Sequence, residues 1–235
     1  MTDPTSIDAD PFYQSYERRG EGVKLKRKHV RQFQKDFVEA AAARPEMSIL
    51  ELGCGNGLFL SFLRQWGAKD VVGVDGDRRV LGEMPPEIAV QVTIADFRAY
   101  FAATTGQRRF DRVVMFDVFE HFSPLEGVAL LKNIAPLLAP GGRIVIRVPN
   151  MASPFALSVQ FNDVTHRNAY TPGSLRQVAQ AAGCKPLAFR PQAYGTWTKE
   201  VRERMLTGVL SWFLSSPPMF WTPNLIAVLT REGDD

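Results

Sequence analysis

Cysteine and histidine are scarce in this chain, and no apolar run is long enough to cross a membrane. Its 235 residues hold two cysteines, Cys54 and Cys184, far apart and without ligand spacing. That excludes a disulfide framework and a cysteine-based metal module, and a reduced, cytoplasmic protein is the expectation. The first ten residues are polar and acidic without an apolar core, so no secretory signal is expected. The most apolar region, 209–221, is interrupted by Ser215, Ser216, Pro217 and Pro218, which excludes a transmembrane helix there. Repeats and low-complexity tracts are absent. With 28 basic against 25 acidic side chains the net charge is only +3, so nothing in the composition requires a large polyanion-binding surface.

What is present is ordinary globular composition, 45% hydrophobic and 23% charged, enough for one α/β domain with appendages. The chain is organised around Ile49-Leu50-Glu51-Leu52-Gly53-Cys54-Gly55-Asn56-Gly57-Leu58. Ile49, Leu50 and Leu52 close a buried strand, three glycines allow a tight turn with exposed N–H groups, and 58–66 has helical character. Strand, glycine turn and helix form a ligand cradle, with unpaired N–H donors at the helix start. A dinucleotide fingerprint needs Gly-x-Gly-x-x-Gly, but Leu58 stands where its last glycine belongs.

The spacing before this turn predicts a basic amphipathic helix over 24–43, so that 1–45 forms an N-terminal segment and 46–235 a single domain. After it, strands are expected at 70–75, 89–95, 110–116 and 143–148. Helices are expected at 78–84 and 124–138, the latter stopped by Pro140-Gly141-Gly142. The alternation defines a doubly wound parallel sheet. Segment 150–172 lacks either period, and a loop of that length inside a compact domain is usually functional. A capped helix to Ala182, a strand at 185–193, an amphipathic helix at 198–214 and a strand at 225–230 follow. The stretch 198–221 is the place for a weak membrane-surface or homodimer contact, which makes peripheral membrane association the variant of a cytoplasmic location.

Acidic side chains stand at the strand ends, where open parallel sheets carry their ligands. Asp75 can accept from a ribose diol, Asp96 from an exocyclic amine with Phe97 as aromatic cover. Asp117-Val118-Phe119-Glu120-His121 follows the fourth strand directly.

In order, Glu51 to Gly57, Gly73-Val74-Asp75, Ala95-Asp96-Phe97, Phe116 to His121 and Leu138 to Gly142 match the motifs of class I S-adenosylmethionine-dependent methyltransferases, which the chain resembles from about 49 to 148. The resemblance implies a Rossmann-like seven-stranded sheet, mostly parallel with an antiparallel last strand, and S-adenosylmethionine as cofactor. It implies roles as well: Glu51, Gly53 and Gly55, with Cys54 between them, at the methionine part; Asp75 and Gly76 at the ribose; Asp96 and Phe97 at adenine; and Phe116 lining the site. Tyr16 to Gly20 is a fainter similarity that offers Arg19 to the cofactor carboxylate. The Glu120-His121 pair looks like the quinone- and sugar-modifying branch, and Asn162 to Pro172 is similar to a segment of methyltransferases of bacterial polysaccharide synthesis.

Those similarities imply a small-molecule or glycan acceptor carrying a hydroxyl, with a quinone precursor as the alternative and a non-enzymatic binding protein as the second. A hydroxyl needs a base, and histidine suits neutral pH. Among three histidines His166 is the expected base, with Asp163 orienting it or binding acceptor hydroxyls, and Glu120 and His121 lining the acceptor pocket or serving as an alternative base. Read without chemistry, Glu120 and His121 cap the following helix and His166 anchors the loop. Asp117, Glu120 and His121 offer metal-type atoms, but their spacing demands no ion and none is expected. Nucleic acid is not expected as a partner: base-amine methyltransferases carry an Asn/Asp-Pro-Pro-aromatic turn where this chain has Asp117-Val118-Phe119-Glu120.

Overall fold

A computed structural model describes residues 24–234 of the chain. The N-terminal helix α1 (Arg27–Phe33) runs on as a π-helical stretch, Gln34–Glu39. Then follow β1 (Ser48–Leu52), α2 (Leu58–Trp66), β2 (Asp70–Asp75), α3 (Pro86–Ala89), β3 (Val92–Ile94), α4 (Phe97–Thr104), β4 (Phe110–Phe116), α5 (Pro124–Ile134) and β5 (Leu138–Pro149). The C-terminal part holds α6 (Leu157–Phe161), α7 (Pro172–Ala181), β6 (Cys184–Pro191), α8 (Trp197–Phe213) and β7 (Asn224–Arg231). The seven strands lie in the order β3-β2-β1-β4-β5-β7-β6. Strands β1 to β5 pair in parallel, and β7 enters antiparallel between β5 and β6. This is the expected doubly wound, mostly parallel sheet with an antiparallel last strand.

The buried strands split their side chains between two cores, as the two-residue period of a strand demands. In β4, Val113 and Met115 face α4, α5 and α7, while Val114 and Phe116 face α1 and α2. The second core is rich in aromatics. Phe33 and Phe37 meet Phe59 at 5.1 and 5.0 Å, and Phe59 meets Phe116 at 5.0 Å edge to face. The buried guanidinium of Arg112 donates to the carbonyls of Ala41 (2.8 Å) and Ala42 (3.1 Å), satisfying acceptors where the N-terminal helix stops.

Several expectations shift. Helix α4 follows Asp96 directly, in a stretch where the sequence reading placed no element. Strand β3 is three residues long, and β5 begins at Leu138, where the helix was expected to end. Leu138 already pairs with Phe110 through a bulge, so Pro140-Gly141-Gly142 bends a strand instead of stopping a helix. Helix α8 forms as expected, and Met205, Val209 and Trp212 of its apolar stripe are exposed, as a surface contact in 198–221 would require. It is strapped to α1 by Glu200, whose carboxylate takes Arg31 (2.9 Å) and Lys35 (3.1 Å). Among the described residues no helix is long and apolar enough to cross a membrane.

Candidate active site

The turn after β1 is built as its glycines require. Gly53, Gly55 and Gly57 hold φ of +72°, +49° and +73°, values that residues with a Cβ avoid. The N–H groups of Gly53 and Cys54 donate to the Val74 carbonyl at 2.7 and 3.2 Å, so the turn leaves β1 against the end of β2. Two carboxylate bonds tighten this junction. Asp75 accepts the N–H of Gly55 on Oδ2 and that of Asp77 on Oδ1, both at 2.9 Å. A Cβ on Gly53 would lie 2.4 Å from Val118, so the turn after β4 packs directly on the glycine turn. Nothing lies within 4 Å of the Cβ position of Gly55, which leaves one side of the cradle open.

Glu51 is nearly fully buried beneath this turn, and its Oε2 has no hydrogen-bond partner among the described residues. Burial, and next the Asp75 charge, pushes its carboxyl well above the ordinary range. An orphaned buried acid beside an open glycine cradle fits a ligand that brings a cationic donor group. Cys54 is buried beside Gly73, Gly76 separates Asp75 from Asp77, and Arg19 lies outside the described residues.

Asp96 stands on the same rim: the N–H of the preceding residue, Ala95, donates to the Asp75 carbonyl. Its exposed carboxylate caps α4, accepting from the N–H groups of Arg98 (2.8 Å) and Ala99 (3.4 Å). Phe97 packs beside Phe101 and Phe122, with ring centroids 6.3 Å away in each case. Phe116 belongs to the aromatic core, with the Arg147 guanidinium 4.6 Å from its ring centroid.

Past Phe116 the backbone turns sharply at Asp117, whose φ of +59° is unusual for a non-glycine residue. The conformation is held by Arg147, which donates to both Asp117 oxygens, one bond measuring 2.8 Å. Sequence reasoning missed Arg147; its one signal was a charge interrupting the apolar run of β5.

The acceptor-side residues come together through long-range contacts. Met151 N–H donates to the Tyr170 carbonyl (2.8 Å), closing segment 150–172 into a loop whose ends meet. The N–H groups of Arg167 and Asn168 then donate to the Glu120 carbonyl at 2.9 and 3.1 Å. This lays His166 against His121, ring centroids 4.8 Å apart. His166 Nδ1 lies 2.9 Å from the Gln160 carbonyl, which can only accept, so Nδ1 is the donor there and, in the neutral ring, the lone pair sits on Nε2. That Nε2 stands 3.7 Å from Asp163 and 3.9 Å from Glu120. Asp163 Oδ1 accepts the N–H and hydroxyl of Thr165, and Thr165 in turn meets His121 Nδ1 at 2.9 Å. Burial, then the Asp117 charge, raises the Glu120 carboxyl well above its ordinary range. Burial, then His166, holds His121 below the usual imidazole value. Gln160, which orients the His166 imidazole, left no signal in the sequence, whereas Thr165 lies within the 162–172 segment already singled out.

A sheet in this order, with a glycine turn after β1 and acids at the next strand ends, defines the class I methyltransferase fold. The family model described as "Methyltransferase domain" matches residues 26–188, and the chain belongs to that family. A "Ubiquinone biosynthesis O-methyltransferase" of Xanthomonas campestris pv. campestris (strain B100) is 28% identical over 130 residues, 53% of this chain and 52% of the relative. The chain thus spans about half the length of the curated relatives it matches. Among solved structures, a SAM-dependent methyltransferase from Archaeoglobus fulgidus superposes with a TM-score of 0.66 at 19% identity, over 88% of this chain and 95% of that one. A magnesium protoporphyrin IX methyltransferase from Synechocystis PCC 6803 with bound SAH gives 0.58 at 14% identity, over 97% of each chain. At these identities the likeness is one of fold.

One further buried acid borders the site. Asp36, in the π-helical stretch, accepts the Ala193 N–H at 2.7 Å, and burial pushes its carboxyl up to about 6. The raised value means that the native state holds this proton more tightly than the unfolded chain does. The resulting stability is complete below the unfolded value of 3.8 and is lost as pH rises through 6, a difference of about 3 kcal/mol. Asp36→Asn is therefore expected to gain on the wild type between pH 4 and 7.5 in urea unfolding. A stability difference that stays constant over that range would contradict the assignment.

Proposed function

We propose that this chain transfers a methyl group from S-adenosylmethionine to a hydroxyl of a sugar, glycan or other small molecule. The observation that carries the reading is the joined rim: the Gly55–Asp75 bond and the Gly53–Val118 contact unite the ends of β1, β2 and β4 around one open cradle. When bound, S-adenosylmethionine supplies a sulfonium methyl for in-line displacement. Glu51 and the 53–57 turn hold the amino-acid part, Asp75 and Gly76 the ribose, Asp96 and Phe97 the adenine, and Phe116 backs the site.

The acceptor lies between the turn after β4 and the 150–172 loop. The Nε2 lone pair of His166 takes the hydroxyl proton as the new C–O bond forms, and the nearby Asp163 carboxylate stabilises the resulting imidazolium. Glu120, buried and with its carboxyl raised, stands 3.9 Å from His166 Nε2, placed to bond an acceptor oxygen. Fixing donor and acceptor in line provides much of the acceleration. The similarity of 162–172 to polysaccharide-associated methyltransferases favours a glycan or sugar. The partial relative named for ubiquinone biosynthesis favours a quinone-precursor phenol as the second acceptor class.

Gly55→Val places a branched side chain at φ +49° in the open side of the cradle, and loss of S-adenosylmethionine binding by calorimetry is expected. Unchanged affinity would remove the cradle from the account. For His166→Ala, turnover is expected to fall by roughly 10²–10⁴-fold with cofactor affinity retained. Near-normal turnover would exclude His166 as the base.

A further inference from the structure

Two polar stretches far apart in the chain meet at one point. Glu120 and His121 arrive from the turn after β4, and Asp163 and His166 from the 150–172 loop. One ligand-type atom from each of His121, Asp163 and His166 lies within 4.8 Å of the other two. The fourth group, Glu120, brings Oε1 to 3.9 Å from His166 Nε2. Local spacing could not reveal this set, because its members belong to separate segments.

The surroundings are those of a prepared coordination site. A metal-binding imidazole ordinarily donates its other ring N–H to a carbonyl or carboxylate, which fixes the tautomer and aims the lone pair. His166 Nδ1 lies 2.9 Å from the Gln160 carbonyl, and His121 Nδ1 lies 3.2 Å from that of Thr165. Asp163 commits Oδ1 to the N–H and hydroxyl of Thr165 and turns Oδ2 toward His166. Glu120 is 1% exposed, and its Oε2 has no hydrogen-bond partner among the described residues. An acid buried in that state is costly unless something arrives to bind it.

We propose that His121, Asp163, His166 and Glu120 form a site for a borderline divalent transition-metal ion of the zinc type. Two imidazoles with two carboxylates suit zinc, whereas magnesium prefers six oxygens and retains several waters. Tetrahedral bonds of about 2.0–2.1 Å set neighbouring ligand atoms about 3.3 Å apart. The observed separations of 3.7 and 3.9 Å from His166 Nε2 approach that spacing, and no pair of ligand atoms among His121, Asp163 and His166 is more than 4.8 Å apart.

The consequence rests on the functional reading above. The His166 lone pair that would take the acceptor proton is the one that would bind the ion, so the two uses exclude each other. Zinc is then an inhibitor of methyl transfer and not its cofactor. In this account the site couples the enzyme to the supply of a transition metal.

The test uses the full chain after chelation. Cobalt(II) is titrated and its visible d–d absorption followed, and zinc is titrated by calorimetry. One tight site with tetrahedral cobalt absorption is expected, with affinity falling at least roughly tenfold in His121→Ala and in Asp163→Asn, the latter on the loop and kept in case the former fails to fold. Absence of zinc binding by the wild type, or affinity unchanged in a folded variant, overturns the site. In a turnover assay, activity is expected to fall in step with zinc occupancy and to return with chelator; activity unchanged or raised at full occupancy overturns the exclusion. Should the chain transfer no methyl group at all, the functional reading fails while the metal titration still decides the site.

Discussion

The carboxylate of Asp75 is the clasp of this molecule. Its two oxygens take one N–H from the glycine turn after β1 and one from the turn after β2, and a hydrogen bond to a charged acceptor contributes about 1.5–3 kcal/mol. The clasp is possible because β1 and β2 pair in parallel, with Leu52 opposite Val74, which brings both strand ends to the same rim. It also needs a backbone at Gly55 that only glycine adopts without strain. A third turn joins through Val118, which occupies the space that a side chain on Gly53 would fill. The cradle is thus a property of three turns held together, and each turn constrains the other two.

The rim manages its many acids by environment. Burial pushes the carboxyls of Glu51 and Glu120 well above the ordinary range, while Asp117 is paired with Arg147 across the end of β4 and β5. Arg147 also covers the face of Phe116, so one guanidinium links the turn after β4 to the aromatic core beneath it. A protonated carboxyl can donate and an ionised one accept, so a rim of acids in unlike environments can offer ligands both kinds of hydrogen-bonding group. The acceptor side follows the same logic: carbonyls of Gln160 and Thr165 set the tautomers of two neighbouring imidazoles.

Much of this architecture was legible in the chain. Helix 58–66 and strands 70–75 and 110–116 form with the expected bounds, because a continuous apolar run between turn residues leaves few alternatives. Helix α4 escaped notice because its cap, Asp96, also suited a loop residue facing a ligand, and the two roles draw on the same carboxylate. For α8 the sequence showed the apolar stripe and offered it as a contact surface, but a helical period shows only that apolar residues share one side, not what that side meets. At the site, glycine spacing and the acids at strand ends were readable since they are local. The approach of His166 to His121, and the closure of 150–172 onto Glu120, depend on backbone bonds across more than one element, to which spacing is blind.

The central claim is that the three joined turns enclose an adenosyl sulfonium donor. A crystal structure of the chain with S-adenosylhomocysteine tests it most directly. The account predicts the nucleoside between Asp75 and Asp96, with the amino-acid end over Gly53–Gly57 and the sulfur directed toward His166. A nucleoside bound elsewhere, with Asp75 and Asp96 untouched by it, would contradict the account.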